Sequence, residues 1–239
     1  MPQNLVPELS VVILCYRSEA SILDFAKKTQ NLVKTLTDSY EIVLVGNYFE
    51  NSGDRTRDYI EQLEKEDPIF RGIYEPKEGM MGWDMRKGLD FARGKYLCVI
   101  DGDGQFPIES IAKCFKVIQG SDYGLVKTYR ETRGDGAYRR TISAIYNTLF
   151  GILFPGIQSR DVNSKPKILT KACYEQLNLK SDDWFIDAEI MINIGKLGIP
   201  FYELPVVFEK LQGRQSFVKP AAIIEFLKNL FEHRFNRKK

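Results

Sequence analysis

Val99-Ile100-Asp101-Gly102-Asp103-Gly104-Gln105-Phe106-Pro107 is the stretch from which the rest of this chain can be read. An apolar run, Tyr96 to Ile100, carries two carboxylates and an amide into a glycine-flanked turn, and Pro107 then opens a helix. Two Asp side chains this close repel each other unless a cation lies between them. Oxygen-only ligands select a hard ion such as Mg2+ or Mn2+, which usually holds a substrate's phosphates as well as the protein. Asp and Gly are also ordinary turn residues, so the stretch taken alone reads equally as a strand-ending turn. Its surroundings choose between the two.

Outward from this turn, strand and helix patterns alternate. Strands are expected at Leu9–Cys15, Tyr40–Val45, Ile69–Tyr74, Tyr96–Ile100 and Tyr123–Thr128, and helices at Ala20–Leu36, Arg55–Lys65, Met80–Ala92 and Ile108–Gln119. Continuous apolar strands separated by helices indicate an α/β fold with a mainly parallel sheet covered on both faces. Ligands of such sheets bind at the carboxyl ends of the strands. Asp101 and Asp103 lie at one such end, Tyr16-Arg17-Ser18-Glu19 at another, and Gly46-Asn47 at a third.

The second half is less regular. A polar, basic loop is expected from Tyr129 to Arg140, followed by an uncharged segment, Thr141 to Ser159, and then Asp161-Val162-Asn163-Ser164. Helices follow at Thr170–Leu177 and Phe185–Lys196, with a strand at Phe201–Val207. The last stretch, Ala221 to Phe235, puts Ile223, Leu227, Leu230 and Phe231 on one face ahead of a basic tail. No linker separates two units, so residues 1–239 are expected to form one domain.

Composition removes whole classes of chemistry. A net charge of +2 does not suggest a general nucleic-acid binder. The chain has one histidine, His233, so Ser-His or Cys-His catalysis and multi-His metal sites have little to stand on. Chemistry must rest on carboxylates, Lys or Arg and a metal. The four cysteines lack metal or redox spacing: Cys15 and Cys98 read as strand core, Cys114 and Cys173 as helical, which implies a reducing, cytoplasmic setting. The segment from Thr141 to Ser159 is too polar and too broken to span a bilayer, so any membrane attachment is expected to be peripheral, at the inner face of the cell membrane.

Taken together, these residues resemble the family 2 glycosyltransferases of GT-A fold, and within them the polyprenyl-phosphate, dolichol-phosphate mannosyltransferase-like branch. Val11 to Glu19 looks like the opening strand and turn, with Tyr16 and Glu19 kept. Gly79-Met80-Met81-Gly82 through Lys87-Gly88-Leu89 is similar to the Gly-rich helix start, and Gly94-Lys95-Tyr96 into Asp101-Gly102-Asp103-Gly104-Gln105 to the metal-binding turn. Arg139 to Ser143, Asp161 to Ser164, Asp187-Ala188-Glu189 and Gly213 to Ser216 follow in branch order. Two departures stand out. Gly46-Asn47 occupies the place of a usual Asp pair, and Lys165-Pro166 replaces small and aromatic residues.

The resemblance implies an inverting, metal-dependent hexosyltransferase, with residues 9–128 as the nucleotide-sugar half, 129–216 as the acceptor half and 217–239 as an amphipathic helix and tail. Tyr16, Glu19, Asn47, Arg86 and Asp101 would contact the nucleotide-diphosphate sugar. Asp101, Asp103 and Gln105 would hold Mg2+ or Mn2+ on its diphosphate, where the ion offsets charge on the leaving group. Lys127, Arg130, Arg133, Arg139 and Arg140 outnumber Glu131 and Asp135 in the basic loop. Arg suits bidentate phosphate contacts, so Arg130, Arg139 and Arg140 with Ser143 are expected to grip a polyprenyl-phosphate acceptor. Such a phosphate is already an ionised nucleophile, whereas a sugar hydroxyl would need a base, for which Asp187 and Glu189 are candidates. Those two residues read equally as helix anchors. The alternatives are a soluble transferase acting on a sugar hydroxyl in surface-polysaccharide assembly, and a catalytically altered transferase-like subunit. A nucleotidyltransferase would want a Gly-rich loop where Tyr16-Arg17-Ser18-Glu19 stands.

Overall fold

Every residue of β2 (Tyr40–Val45) and all but the last of β1 (Leu9–Leu14) are buried, because helices cover the sheet on both sides. The computed structural model describes residues 6–133, 137–208 and 220–235, with the side chains of 132–133, 137–140 and 220–227 outside that description. Strands β3 (Phe70–Ile73), β4 (Tyr96–Asp101), β5 (Leu125–Arg133), β6 (Lys167–Thr170) and β7 (Phe201–Phe208) complete a seven-stranded sheet of order β3-β2-β1-β4-β6-β5-β7. Strands β1 to β4 pair in parallel; β6 runs antiparallel to β4 and to β5, and β5 pairs in parallel with β7.

Alternation along the strands sorts side chains into two cores. Val12, Val43, Leu97, Val99 and Leu169 meet α3 (Met81–Phe91), α5 (Ala137–Leu153), α6 (Lys171–Leu177) and α7 (Ile186–Leu197). Val11, Ile13, Ile42, Leu44 and Ile100 meet α1 (Ser21–Val33), α2 (Thr56–Glu66) and α4 (Glu109–Gln119). All four cysteines are free and buried. The last helix, α8 (Pro220–Phe235), is docked: Leu230 is buried in the first core, Asn229 donates to Asp183 at 2.6 Å, and Phe185 lies 4.7 Å from the His233 ring. Among the described residues no helix is long and apolar enough to cross a membrane.

Two expectations for the second half need correction. The segment from Tyr129 to Arg133 continues β5 rather than forming a loop, since β7 offers it a parallel ladder broken only by an irregularity at Glu131. Within that strand Lys127 is wholly buried instead of contributing to a basic surface. The segment expected to begin directly as a helix at Thr170 is preceded by β6, where Lys167, with Lys165 just ahead of it, disguises a central strand; Thr170 then caps α6 by accepting the Cys173 N–H.

Candidate active site

The acidic turn leaves the sheet between β1 and β4. The chain runs from β1 to β2 on one side and later returns to β4 on the other, so the crevice here is the sheet's topological switch point. Gly102 N–H donates to the Leu14 carbonyl at 2.9 Å, which ties the turn to β1. Gly104, at φ +75°, reverses the chain, and Asp103 Oδ1 accepts the Gln105 N–H at 3.0 Å. The Asp101 side chain keeps 28% of its surface exposed. No cluster of three or more His, Cys, Asp or Glu able to hold a metal occurs among the described residues. The turn therefore offers two carboxylates and an amide. That donor set fits a hard ion that shares its shell with substrate oxygens, rather than one caged by protein.

The segments that follow β2 and β3 form an open cavity of about 530 Å³ lined by Phe49, Glu50, Glu75, Pro76, Lys77 and Glu78. Tyr16 stands edge-on to Phe49 with ring centroids 6.1 Å apart, and the Lys77 ammonium lies 4.7 Å from the Tyr16 centroid. Glu19 is exposed, with its backbone N–H on Thr56 Oγ1 at 2.9 Å.

Asn47 is buried and committed inside the protein. Its Nδ2 donates to Asp84 Oδ1 at 2.9 Å, its Oδ1 accepts the Glu75 N–H at 2.7 Å, and Lys77 pairs with the other Asp84 oxygen. Burial pushes the Asp84 carboxyl up, against the pull of Lys77 and Asn47. This network accounts for the first departure: an Asp at 47 would face Asp84. Gly46 has a separate reason, because a Cβ there would collide with Ile60 of α2.

The start of α3 is sealed by protein. Met80 and Trp83 donate to the Asp182 carbonyl at 2.7 and 3.2 Å, and Gly82 to that of Asp183 at 2.9 Å. A Cβ on Gly82 would stand 2.5 Å from the Ser181 and Asp183 carbonyl oxygens, so only glycine permits this approach. Arg86 pairs with Asp182 and reaches the Ser181 carbonyl at 3.3 Å, and so holds this same segment.

On the other side of Asp101 lies a buried charged seam that follows from strand register. Val99 pairs with Lys167 at the end of the antiparallel β4–β6 ladder, and just beyond it the Lys165 side chain comes up to Asp101. Lys127 pairs with Lys167 on one side and with Glu203 on the other. Lys165 Nζ lies 3.1 Å from Asp187 Oδ2 and 3.5 Å from Asp101 Oδ1, and Lys167 Nζ lies 2.5 Å from Asp187 Oδ1. Lys127 meets Glu203 at 2.8 Å and the Asp161 carbonyl at 2.6 Å. Burial drives the Lys167 ammonium down to about 7, with Asp187 opposing the shift. Burial also works against the Asp187 carboxylate, but Lys165 and Lys167 hold it below its ordinary value.

The residues expected on the acceptor side divide. Arg130 is fully turned onto Asp161, and the Arg139 and Arg140 side chains lie outside the described residues. Ser143, on α5, accepts from Asn147, whose own Oδ1 takes the Val162 N–H at 3.1 Å. Glu189 accepts the backbone N–H groups of Lys180, at 3.0 and 3.1 Å, and Ser181, at 2.8 Å. Asn163 Oδ1 is buried without a partner among the described residues. Sequence reasoning overlooked Lys167, Glu203 and Asp84, and treated Lys165 only as a departure. Calling β6 would have placed both lysines.

This architecture, a mixed sheet with an acidic glycine-flanked turn at its switch point, is that of a GT-A glycosyltransferase. The profile described as "Glycosyl transferase family 2" matches residues 10–181, and the chain belongs to that family. A dolichyl-phosphate beta-glucosyltransferase of Trichomonas vaginalis is 24% identical over 94% of this chain and 72% of its own length. A dolichol-phosphate mannosyltransferase of Pyrococcus furiosus is 28% identical over 94% of this chain, which spans 63% of that relative. An undecaprenyl-phosphate 4-deoxy-4-formamido-L-arabinose transferase of Pseudomonas fluorescens is 31% identical over 58% of the chain and 40% of its own length. Among solved structures, glucosyl-3-phosphoglycerate synthase from Mycobacterium tuberculosis, crystallised with Mn2+, UDP and phosphoglyceric acid, superposes with a TM-score of 0.74. At 17% identity, over 96% of this chain and 79% of that one, it shares the fold.

Proposed function

We propose that this protein moves a sugar from a nucleotide-diphosphate sugar to a polyprenyl phosphate. The observation that carries the reading is the position of Asp101 in the strand order, with the cavity beyond β2 and β3 on one side of it and the charged seam at β6 and β5 on the other. Residues 9–128 form the donor half in this scheme, residues 129–216 the acceptor half and residues 217–239 the tail. Tyr16, Phe49 and Lys77 line the nucleoside side. Asp101, Asp103 and Gln105 would hold Mg2+ or Mn2+, which supplies charge neutralisation on the departing nucleoside diphosphate.

The acceptor phosphate attacks the anomeric carbon, the bond to the diphosphate oxygen breaks, and configuration inverts. An ionised phosphate needs no base, which suits a site whose two candidate bases are already engaged. Arg130 stiffens the acceptor wall through Asp161. Arg139, Arg140 and Ser143 on α5 are assigned to the lipid phosphate; Arg139 and Ser143 are four residues apart along that helix. Asn163 Oδ1, buried and unmet, suits a sugar hydroxyl donor. Exposed Phe231 and Phe235 on α8, beside Arg234, suit peripheral contact with a membrane on the cytoplasmic side.

The test is transfer of labelled sugar from UDP-glucose or GDP-mannose to undecaprenyl phosphate in detergent with Mn2+. Label in the lipid fraction, lost in Asp103→Asn, is expected. Label passing to soluble sugars alone would favour a hydroxyl acceptor. Nucleotide binding without any transfer would mark a catalytically altered subunit.

A further inference from the structure

The buried seam contains four cations, Lys127, Arg130, Lys165 and Lys167, facing four carboxylates, Asp101, Asp161, Asp187 and Glu203. With all four cations protonated, the charges match only when Asp101 is counted. Three of the carboxylates have side chains no more than 8% exposed; Asp101, at 28%, opens to the crevice. Asp101 thus serves two masters, the seam behind it and the turn in front.

Lys165 cannot swing away from this position. Its side chain is 2% exposed, lies 3.5 Å from Asp101 Oδ1, and is braced by Asp187 and by Met81 Sδ at 3.6 Å. A cation this close to Asp101 repels any second cation that approaches the same carboxylate. It also lends fixed positive charge to whatever anion is drawn to the turn.

We infer that Lys165 is a resident cation of the donor site, which shares Asp101 with the divalent ion, weakens the ion's binding and supports the donor's diphosphate when the ion is absent. This rests on the reading of Asp101 as a donor-side ligand given above. Lys165 acts as a positioning residue toward that ligand, not as a base or nucleophile.

The experiment measures binding, not turnover. Mn2+ alone is titrated by electron paramagnetic resonance into the wild-type protein, Lys165→Met and Lys165→Arg, with circular dichroism as a check of fold. UDP and GDP are then titrated by calorimetry, with Mn2+ and with EDTA. Lys165→Met should bind Mn2+ about tenfold tighter than wild type, and Lys165→Arg should stay near wild type. In EDTA, wild type should keep nucleoside diphosphate affinity within about tenfold of its Mn2+ value, and Lys165→Met should lose it. Equal or weaker Mn2+ binding by a folded Lys165→Met protein would overturn the inference alone. So would complete loss of wild-type nucleotide binding in EDTA, an arm that stands even where the variant does not fold. No nucleotide binding under any condition would overturn the transferase reading itself.

Discussion

Arg130 and Asp161 meet fork to fork: Nε lies 2.6 Å from Oδ2 and Nη2 lies 2.7 Å from Oδ1, with side chains 11% and 7% exposed. An arginine that reads in sequence as a phosphate grip is spent on joining β5 to the segment before β6. Bidentate geometry suits either partner equally, so residue type alone could not distinguish them.

Removing one side of a buried pair strands the other charge, which costs about 3–5 kcal/mol. Arg130→Ala should therefore lower the urea midpoint sharply. Joint replacement, Arg130→Met with Asp161→Leu, should recover much of the loss, because no orphan charge remains. A stable Arg130→Ala protein with raised acceptor KM would instead return Arg130 to the substrate.

The same pair sets an acid limit. Burial alone would raise the Asp161 carboxyl, but hydrogen bonds and charge from Arg130, with Lys127, hold it down at about 2. Its ordinary value is about 3.9. The folded pKa is the lower one, so the contribution is complete above about pH 4 and fades as pH falls toward 2. It amounts to about 2–3 kcal/mol. Denaturant melts of wild type and the Arg130→Met, Asp161→Leu protein should converge in relative stability as pH drops through this window.

Lys167 should act at the alkaline end. Its ammonium titrates at about 7 in the fold, driven down first by burial, against about 10.4 in an unfolded chain. Between these values the unfolded state binds more protons, so this group's contribution grows as pH rises from 7 to 10. Lys167→Met leaves Asp187 with Lys165 and should fold. The stability of wild type relative to Lys167→Met should rise by on the order of 2 kcal/mol across that range, read from urea melts at pH 7 and 9.5. A pH-independent difference would place the Lys167 titration elsewhere.

The Asn47 network predicts a swap. Asn47→Asp sets a carboxylate against Asp84 and loses a donated hydrogen bond, for about 1–3 kcal/mol. Adding Asp84→Asn restores one carboxylate and one amide but leaves the buried Lys77 ammonium facing an amide, so the double variant should recover only part of the loss. A double variant less stable than Asn47→Asp alone would show that the Lys77–Asp84 pair outweighs the repulsion between the two carboxylates.

The first half of the fold was legible because its strands are mainly apolar runs closed by turn chemistry. Leu9–Leu14, Tyr40–Val45 and Tyr96–Asp101 fall within a residue of where the pattern puts them. The second half hid its strands behind charge. Lys167 and Lys127 look solvated in sequence, and only the partners supplied by α7 and β7, distant along the chain, allow them to be buried. The acidic turn was visible as a motif for the same reason the seam was not: its residues are neighbours in sequence, whereas Lys165 meets Asp101 only once the sheet is folded.

Asp187 and Glu189 give the last prediction, since a base and an anchor behave differently when the carboxylate is made an amide. Asp187 is 1% exposed and Glu189 4%, and every contact described for them is internal: two ammonium groups for Asp187, the N–H groups of Lys180 and Ser181 for Glu189. Glu189→Gln keeps one carbonyl oxygen for that loop and should lose about 1–2 kcal/mol of stability, in line with a charge-assisted hydrogen bond made neutral. Its kcat should stay within a few-fold of wild type, because a lipid phosphate arrives ionised. Asp187→Asn strips two buried ammonium groups of their carboxylate and should cost more, about 3–5 kcal/mol. A folded Glu189→Gln protein with kcat reduced by 10²-fold or more, the scale expected for loss of a general base, would point to a hydroxyl acceptor.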